Sequence, residues 1–241
     1  MEFGQIEFLN GVFSIIFVIL SLVVGIKIIL KYISLKKSTF IYMGLTWIGI
    51  TSPWWGSSIS FIVGLFNNGQ GISLELYLLV TITLIPLFFM FYLKALTDLL
   101  WQKTKKIILT FYGVIGLIFT VAYVYFIIYS PTFIGILKTP VDIQYRNFAS
   151  LYLIFTILTF FVGGILFGIT SLKSEHPTVR LQGKLLILAF CSFCVGSVLD
   201  ASIDLDVLGL FITRIVLISS ALEFYSGFIL PSFLIILFIK S

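Results

Sequence analysis

Histidine occurs once, cysteine twice and methionine three times in this 241-residue chain, and only 10% of its residues carry charge. Each shortage excludes something. A soluble domain carries roughly a quarter charged residues, so a chain that is 60% hydrophobic with a mean hydropathy of +1.18 has no water-soluble way to hide its apolar surface. The only histidine, His176, stands apart from Cys191 and Cys194, too few donors for a metal site, so packing is the reading for both cysteines. Three positions apart on one helix, the two cannot form a disulfide framework either. There is no nucleophile with its base, no phosphate-cradling loop and no paired carboxylates, which argues against an enzyme and calls for no cofactor. No polar block approaches the roughly 50 residues of a second domain. No internal repeat and no low-complexity segment is present.

What the chain does have is long apolar runs. A bilayer core near 30 Å takes about 20 apolar residues of helix. Seven stretches meet that length, at roughly 8–34, 39–66, 72–94, 107–129, 148–171, 183–203 and 207–230. The expectation is therefore an all-α, multi-pass bundle of seven transmembrane helices forming one domain over 1–241, placed in the cell membrane. Only about eight residues precede the first run, which is too long for a removed signal peptide and reads as a retained helix.

Charge sets the orientation. Alternating loops put Lys31, Lys36, Lys37, Lys103, Lys105, Lys106, Lys173, Arg180, Lys184 and Lys240 on one side and leave Lys138 and Arg146 on the other. By the positive-inside rule the first side is cytosolic, so the N-terminus is outside and the C-terminus inside. Glu2, Glu7, Glu75, Asp142, Asp200, Asp204 and Asp206 then fall at the outer face. The net charge of +5 belongs to helix ends beside lipid headgroups, not to a nucleic-acid surface. Membrane lipids are the expected partners, together with a small amphipathic ligand, and a homo-oligomer or membrane partner is admitted.

Two familiar uses of seven helices fail at once. The seventh helix has no mid-membrane lysine for a retinal Schiff base, and the triplet and Asn-Pro-x-x-Tyr signatures of G-protein-coupled receptors are absent. Instead, helix two carries Ser52-Pro53-Trp54-Trp55-Gly56 deep in the bilayer, whereas tryptophan belongs at the interface. Trp47, Thr51, Trp54 and Ser58 share one helical face, which is expected to turn inward. Pro53 and Pro86 should kink their helices and free the carbonyls of Gly49 and Ile82, the former as an acceptor for an indole.

Arg214 and Glu223 lie inside helix seven, on opposite faces about 13 Å apart along the axis, so each needs its own partner. Arg214 sits at the depth of Trp54 and Trp55, within reach of Asp200, Asp204 or Glu75. With Ser58 these residues compose a candidate ligand site of Trp54, Trp55, Ser58, Asp200 and Arg214; the alternative is an Arg214–Asp200 pair that locks two helices. Ser219, Ser220, Glu223 and Ser226, with Gly227, form a polar strip expected to face the bundle, with Lys184 or Lys94 as structural partners or a proton path as the alternative. Asp206 reads as a helix N-cap. Gly164 and Gly168 give a GxxxG step for close contact within the bundle or between chains. The outer connection, about 130–147, reads as a loop, either a cap over a cavity or a tether. After Pro231, SFLIILFIK either extends helix seven or lies on the inner surface.

SPWWG in helix two, RLQGK opening helix six and an arginine followed by YSGFILP in helix seven resemble a group of uncharacterised seven-helix membrane proteins found mainly in archaea. That resemblance covers nearly the whole chain but assigns no chemistry to Trp54, Arg214 or Tyr225. Length and arrangement more loosely resemble the seven-helix input regions of membrane histidine kinases, which implies sensing. The leading functional expectation is a receptor-like or sensory module that binds a small amphipathic ligand or lipid among its helices. The alternatives are a small transporter, channel or scramblase, suggested by Glu223 and the kinks, and a structural subunit of a membrane assembly.

Overall fold

A computed structural model describes residues 3–202 and 206–239. Glu2, Asp204 and Lys240 lie outside the described residues. Eleven helices appear there in chain order: α1 (Gln5–Leu35), α2 (Thr39–Ile50), α3 (Pro53–Phe66), α4 (Leu74–Thr81), α5 (Ile85–Leu99), α6 (Lys105–Tyr129), α7 (Pro131–Ile134), α8 (Asn147–Leu172), α9 (Pro177–Ser202), α10 (Val207–Ile229) and α11 (Ser232–Ile239). The chain is all-α apart from one small hairpin, β1 (Gly135–Thr139) paired antiparallel with β2 (Asp142–Tyr145). Six helices among the described residues are long and apolar enough to cross a membrane, with α4 and α5 counted as one. The stretch 39–66 is not a seventh helix of that kind, because it is divided into α2 and α3 at Thr51–Ser52.

Helix ends follow local chemistry. The Gly4 amide donates to the Glu7 carboxylate at 2.8 Å to open α1, and Lys36 closes it in the left-handed region. Ser73 caps α4 and Asp206 caps α10, the latter accepting from the Gly209 amide at 2.8 Å. At Leu230, φ of 49° ends α10, so α11 is a separate helix rather than its extension.

The two proline breaks heal locally, contrary to the expectation of free acceptors. The Gly49 carbonyl takes the Ser52 amide at 3.1 Å, and the Ile82 carbonyl takes the Ile85 amide at 2.9 Å. A tightened turn recaptures each carbonyl before an indole can reach it. The breaks also clasp each other, since the Ser52 hydroxyl donates to the Thr81 carbonyl at 2.5 Å.

Packing relies on small residues where backbones meet. Gly25 of α1 and Gly44 of α2 face one another so closely that a Cβ on either would lie within 3 Å of the other's carbonyl oxygen. Gly164 and Gly168 of α8 meet Phe190, Ile187 and Gly183 of α9, so the GxxxG step serves a contact inside the bundle. The main core fills the axis with Trp47, Phe193, Phe190, Phe160, Tyr92 and Phe224. A second core, including Ile85, Phe119, Tyr123, Ile134 and Tyr152, joins α4, the start of α5, α6, α7 and α8 near the hairpin. The connection 130–147 is thus a helical turn and a docked hairpin, not an irregular loop; Ile134 and Val141 are fully buried.

Candidate functional site

At the hairpin end, α10 carries Arg214 into the interior, where the residue is only 2% exposed. A guanidinium there calls for partners; its two terminal nitrogens find them, while Nε is buried with none among the described residues. Nη2 donates to Asn10 Oδ1 of α1 at 2.6 Å and lies 3.0 Å from Asp200 Oδ1 of α9, while Nη1 donates to Asp200 Oδ2 at 3.2 Å. The fork geometry makes the pair bidentate. Asp200 Oδ2 also accepts the Trp54 indole N–H of α3 at 2.8 Å. Asn10 Nδ2 donates in turn to the Val141 carbonyl at the hairpin tip, at 3.1 Å. Ser60 of α3 adds a second stitch, donating to the Pro140 carbonyl and accepting the Ile72 amide. One connected polar network therefore joins α1, α3, α9, α10 and the hairpin.

The candidate set divides on inspection. Trp54, Asp200 and Arg214 come together; Ser58 instead donates to its own helix at the Trp54 carbonyl. The Trp55 indole N–H is buried with no partner among the described residues. Glu75 is exposed in the first turn of α4. Asn10 was not among the expected partners, although an amide inside an apolar run is itself a signal. Trp47, Thr51, Trp54 and Ser58 are all buried, so their face does turn inward.

Room beside this network is scarce. The void against Trp54, Pro53, Phe193 and Ser197 measures about 20 Å³, enough for one water-sized molecule and no more. Below it the axis is closed by aromatic rings: Trp47 stacks on Phe224 at 4.1 Å, and Phe193 packs against both Trp47 and Trp54.

The strip on α10 is graded in burial, and Glu223 Oε2 is enclosed without a hydrogen-bond partner among the described residues. Ser220 and Gly227 are buried, but Ser219, Glu223 and Ser226 are only partly so, at the seam with Ser192 of α9. The expected partner Lys94 is engaged elsewhere: Asp98 holds both Lys94 and Lys105 at 2.5 Å. That triad at the basic end was missed, because Lys105 lies beyond the turn that joins α5 to α6.

A roomier feature lies elsewhere. Of the buried residues of α6, Phe119, Tyr123 and Ile127 belong to its hairpin-side half and Gly116 stands at its middle; the other half reaches α8 through Tyr112, which meets Phe155 and Thr159. Between α5, α6 and α8 lies a cleft of about 490 Å³, bounded by Leu93, Leu96, Trp101, Thr104, Ile108, Tyr112, Leu158, Thr159, Val162 and Gly163. Tyr112 and Thr159 approach each other across it, their hydroxyls 3.4 Å apart. Leu158 and Val162 are more than half exposed on its open side.

No known protein family, curated protein or solved structure matches this chain, so function must be read from its own chemistry. The fold and its apolar helices define the class: a multi-pass, all-α membrane protein.

Proposed function

We propose that this chain is a receptor-like module of the cell membrane that takes a lipid or small amphipathic ligand into the bundle from its side. In this reading α2 and α3 together make a seventh crossing. They are 12 and 14 residues long, each too short alone, and with the break between them they reach roughly 40 Å. The basic ends at Lys31, Lys36, Lys103, Lys106, Lys173 and Lys184 face the cytosol, and the hairpin faces outward.

The observation that carries the reading is the cleft between α5, α6 and α8. At about 490 Å³ it falls within the size range of ligand pockets, with apolar walls and few polar atoms. The outer cluster, whose charges satisfy one another, contributes rigidity rather than a receptacle. Transport finds less support, because stacked aromatics separate Arg214 from Glu223 and no polar path joins them. A scaffold role loses its GxxxG hint to the α8–α9 contact.

The test is thermal unfolding of delipidated protein against a panel of lipids and amphiphiles. A ligand that raises the midpoint for wild type but not for Val162→Phe, which fills the cleft from its open side, supports the reading. A panel in which every compound acts equally on both proteins refutes it.

A further inference from the structure

The polar atoms around the cleft are distributed unevenly. Tyr112 and Thr159 face each other across it, their hydroxyls 3.4 Å apart, and the Thr159 hydroxyl also donates to the Phe155 carbonyl of its own helix at 2.9 Å. The walls formed by Leu93, Leu96, Ile108 and Val162 are hydrocarbon. Polarity returns only at the basic end, where the turn from Trp101 to Thr104 closes the cleft between α5 and α6.

Charge at that mouth has one sign. Lys103, just before Thr104, and Lys106, two positions after it, are exposed and have no acidic partner among the described residues. The nearby carboxylate, Asp98, is bound by Lys94 and Lys105 together, so it does not cancel them. An apolar slot under an uncompensated pair of ammonium groups complements a molecule with a hydrocarbon tail and an anionic head.

Resting on the reading above, we infer that the cleft seats an acyl chain of an anionic phospholipid, with the lipid phosphate held between Lys103 and Lys106 and the Trp101 indole beside the chain. Trp101 is the one tryptophan that borders this cleft; Trp47, Trp54 and Trp55 belong to α2 and α3. The site therefore carries its own reporter.

The experiment reconstitutes the full chain in vesicles with increasing fractions of phosphatidylglycerol or phosphatidylcholine brominated in the acyl chain, and reads tryptophan quenching. Subtracting the signal of Trp101→Phe isolates Trp101. Each lysine is expected to favour the anionic lipid roughly fivefold, so brominated phosphatidylglycerol should quench Trp101 at a much lower mole fraction than brominated phosphatidylcholine. Lys103→Gln with Lys106→Gln should bring the two lipids together. Val162→Phe and Leu158→Phe, both on the open side and away from the core, should reduce quenching by either lipid. Equal potency of the two lipids on wild type would overturn the headgroup assignment while leaving the cleft as a lipid site. Quenching indifferent to Val162→Phe and Leu158→Phe would remove the cleft reading itself.

Discussion

At the hairpin end, Arg214, Asp200, Asn10 and Trp54 bond one another, with Arg214 Nε left buried and unpartnered among the described residues, whereas the cleft between α5, α6 and α8 leaves mostly apolar walls open on one side. The same physics gives the two regions opposite uses. An unmatched charge in hydrocarbon costs several kcal/mol, so a buried arginine collects partners until its region is closed. An unmatched leucine costs nothing against lipid, since lipid tails are as apolar as it is. A gap between helices can therefore persist only where its walls are hydrocarbon. The contrast implies that stability resides in the first region and exchange with the bilayer in the second.

The sharpest way to break that contrast is Arg214→Met, which strands Asp200 and Asn10. Removing one partner of a buried ion pair costs about 3 kcal/mol or more, so the thermal midpoint in detergent should fall by many degrees while lipid quenching of the folded fraction at Trp101 persists. A variant that kept its midpoint would show that the network does not hold the helices. Asn10→Ala removes both the Arg214 bond and the tie to Val141, and should cost roughly 2 kcal/mol. Its distinctive sign is faster hydrogen exchange in β1 and β2, because the hairpin loses its anchor to α1.

A third measurement concerns pH. Burial, and then the Asp200 carboxylate, push the Asp142 carboxyl above its ordinary value of 3.8, against the pull of Lys138 and Arg214. A raised value means that the docked hairpin prefers the protonated acid. Docking is then strongest below 3.8 and weakens as pH rises through the raised value. Hairpin amide exchange, corrected for its intrinsic rate, should slow on acidification, and Asp142→Asn should abolish that dependence. The smallest effect on stability belongs to the cleft: Val162→Phe should move the thermal midpoint by less than the equivalent of about 0.5 kcal/mol yet suppress quenching at Trp101. A large loss of stability there would mean that the cleft walls bear load after all.

Parts of this arrangement were legible in the sequence. Arg214 in an apolar run demanded a partner, and the depth of Asp200 named one of the two it has; Trp54 joins the network through Asp200 rather than through Arg214. Asn10 is as visible, but an amide carries no formal charge and so does not by itself call for a partner of opposite sign. The hairpin was hidden because its strands of five and four residues hold too little alternation to register. Pro53 and Pro86 marked the breaks in α2–α3 and α4–α5, yet the fate of the freed carbonyls depended on how tightly the next turn wound. Glu223 was assigned to the interior, and its Oε2 is enclosed there although the residue as a whole is only partly buried. Where a face points is decided by its neighbours, and here α9 meets it at a seam.

The apolar runs, their lengths and the one-sided lysines determined by themselves that this is a helical membrane protein, because burial of backbone polar groups in lipid leaves helices few alternatives. Only the tertiary structure decided where two helices stand apart. The walls of the cleft come from Leu96, Ile108 and Val162, which are far apart along the chain and individually unremarkable. A gap is a property of distances between segments, and hydropathy carries no term for that.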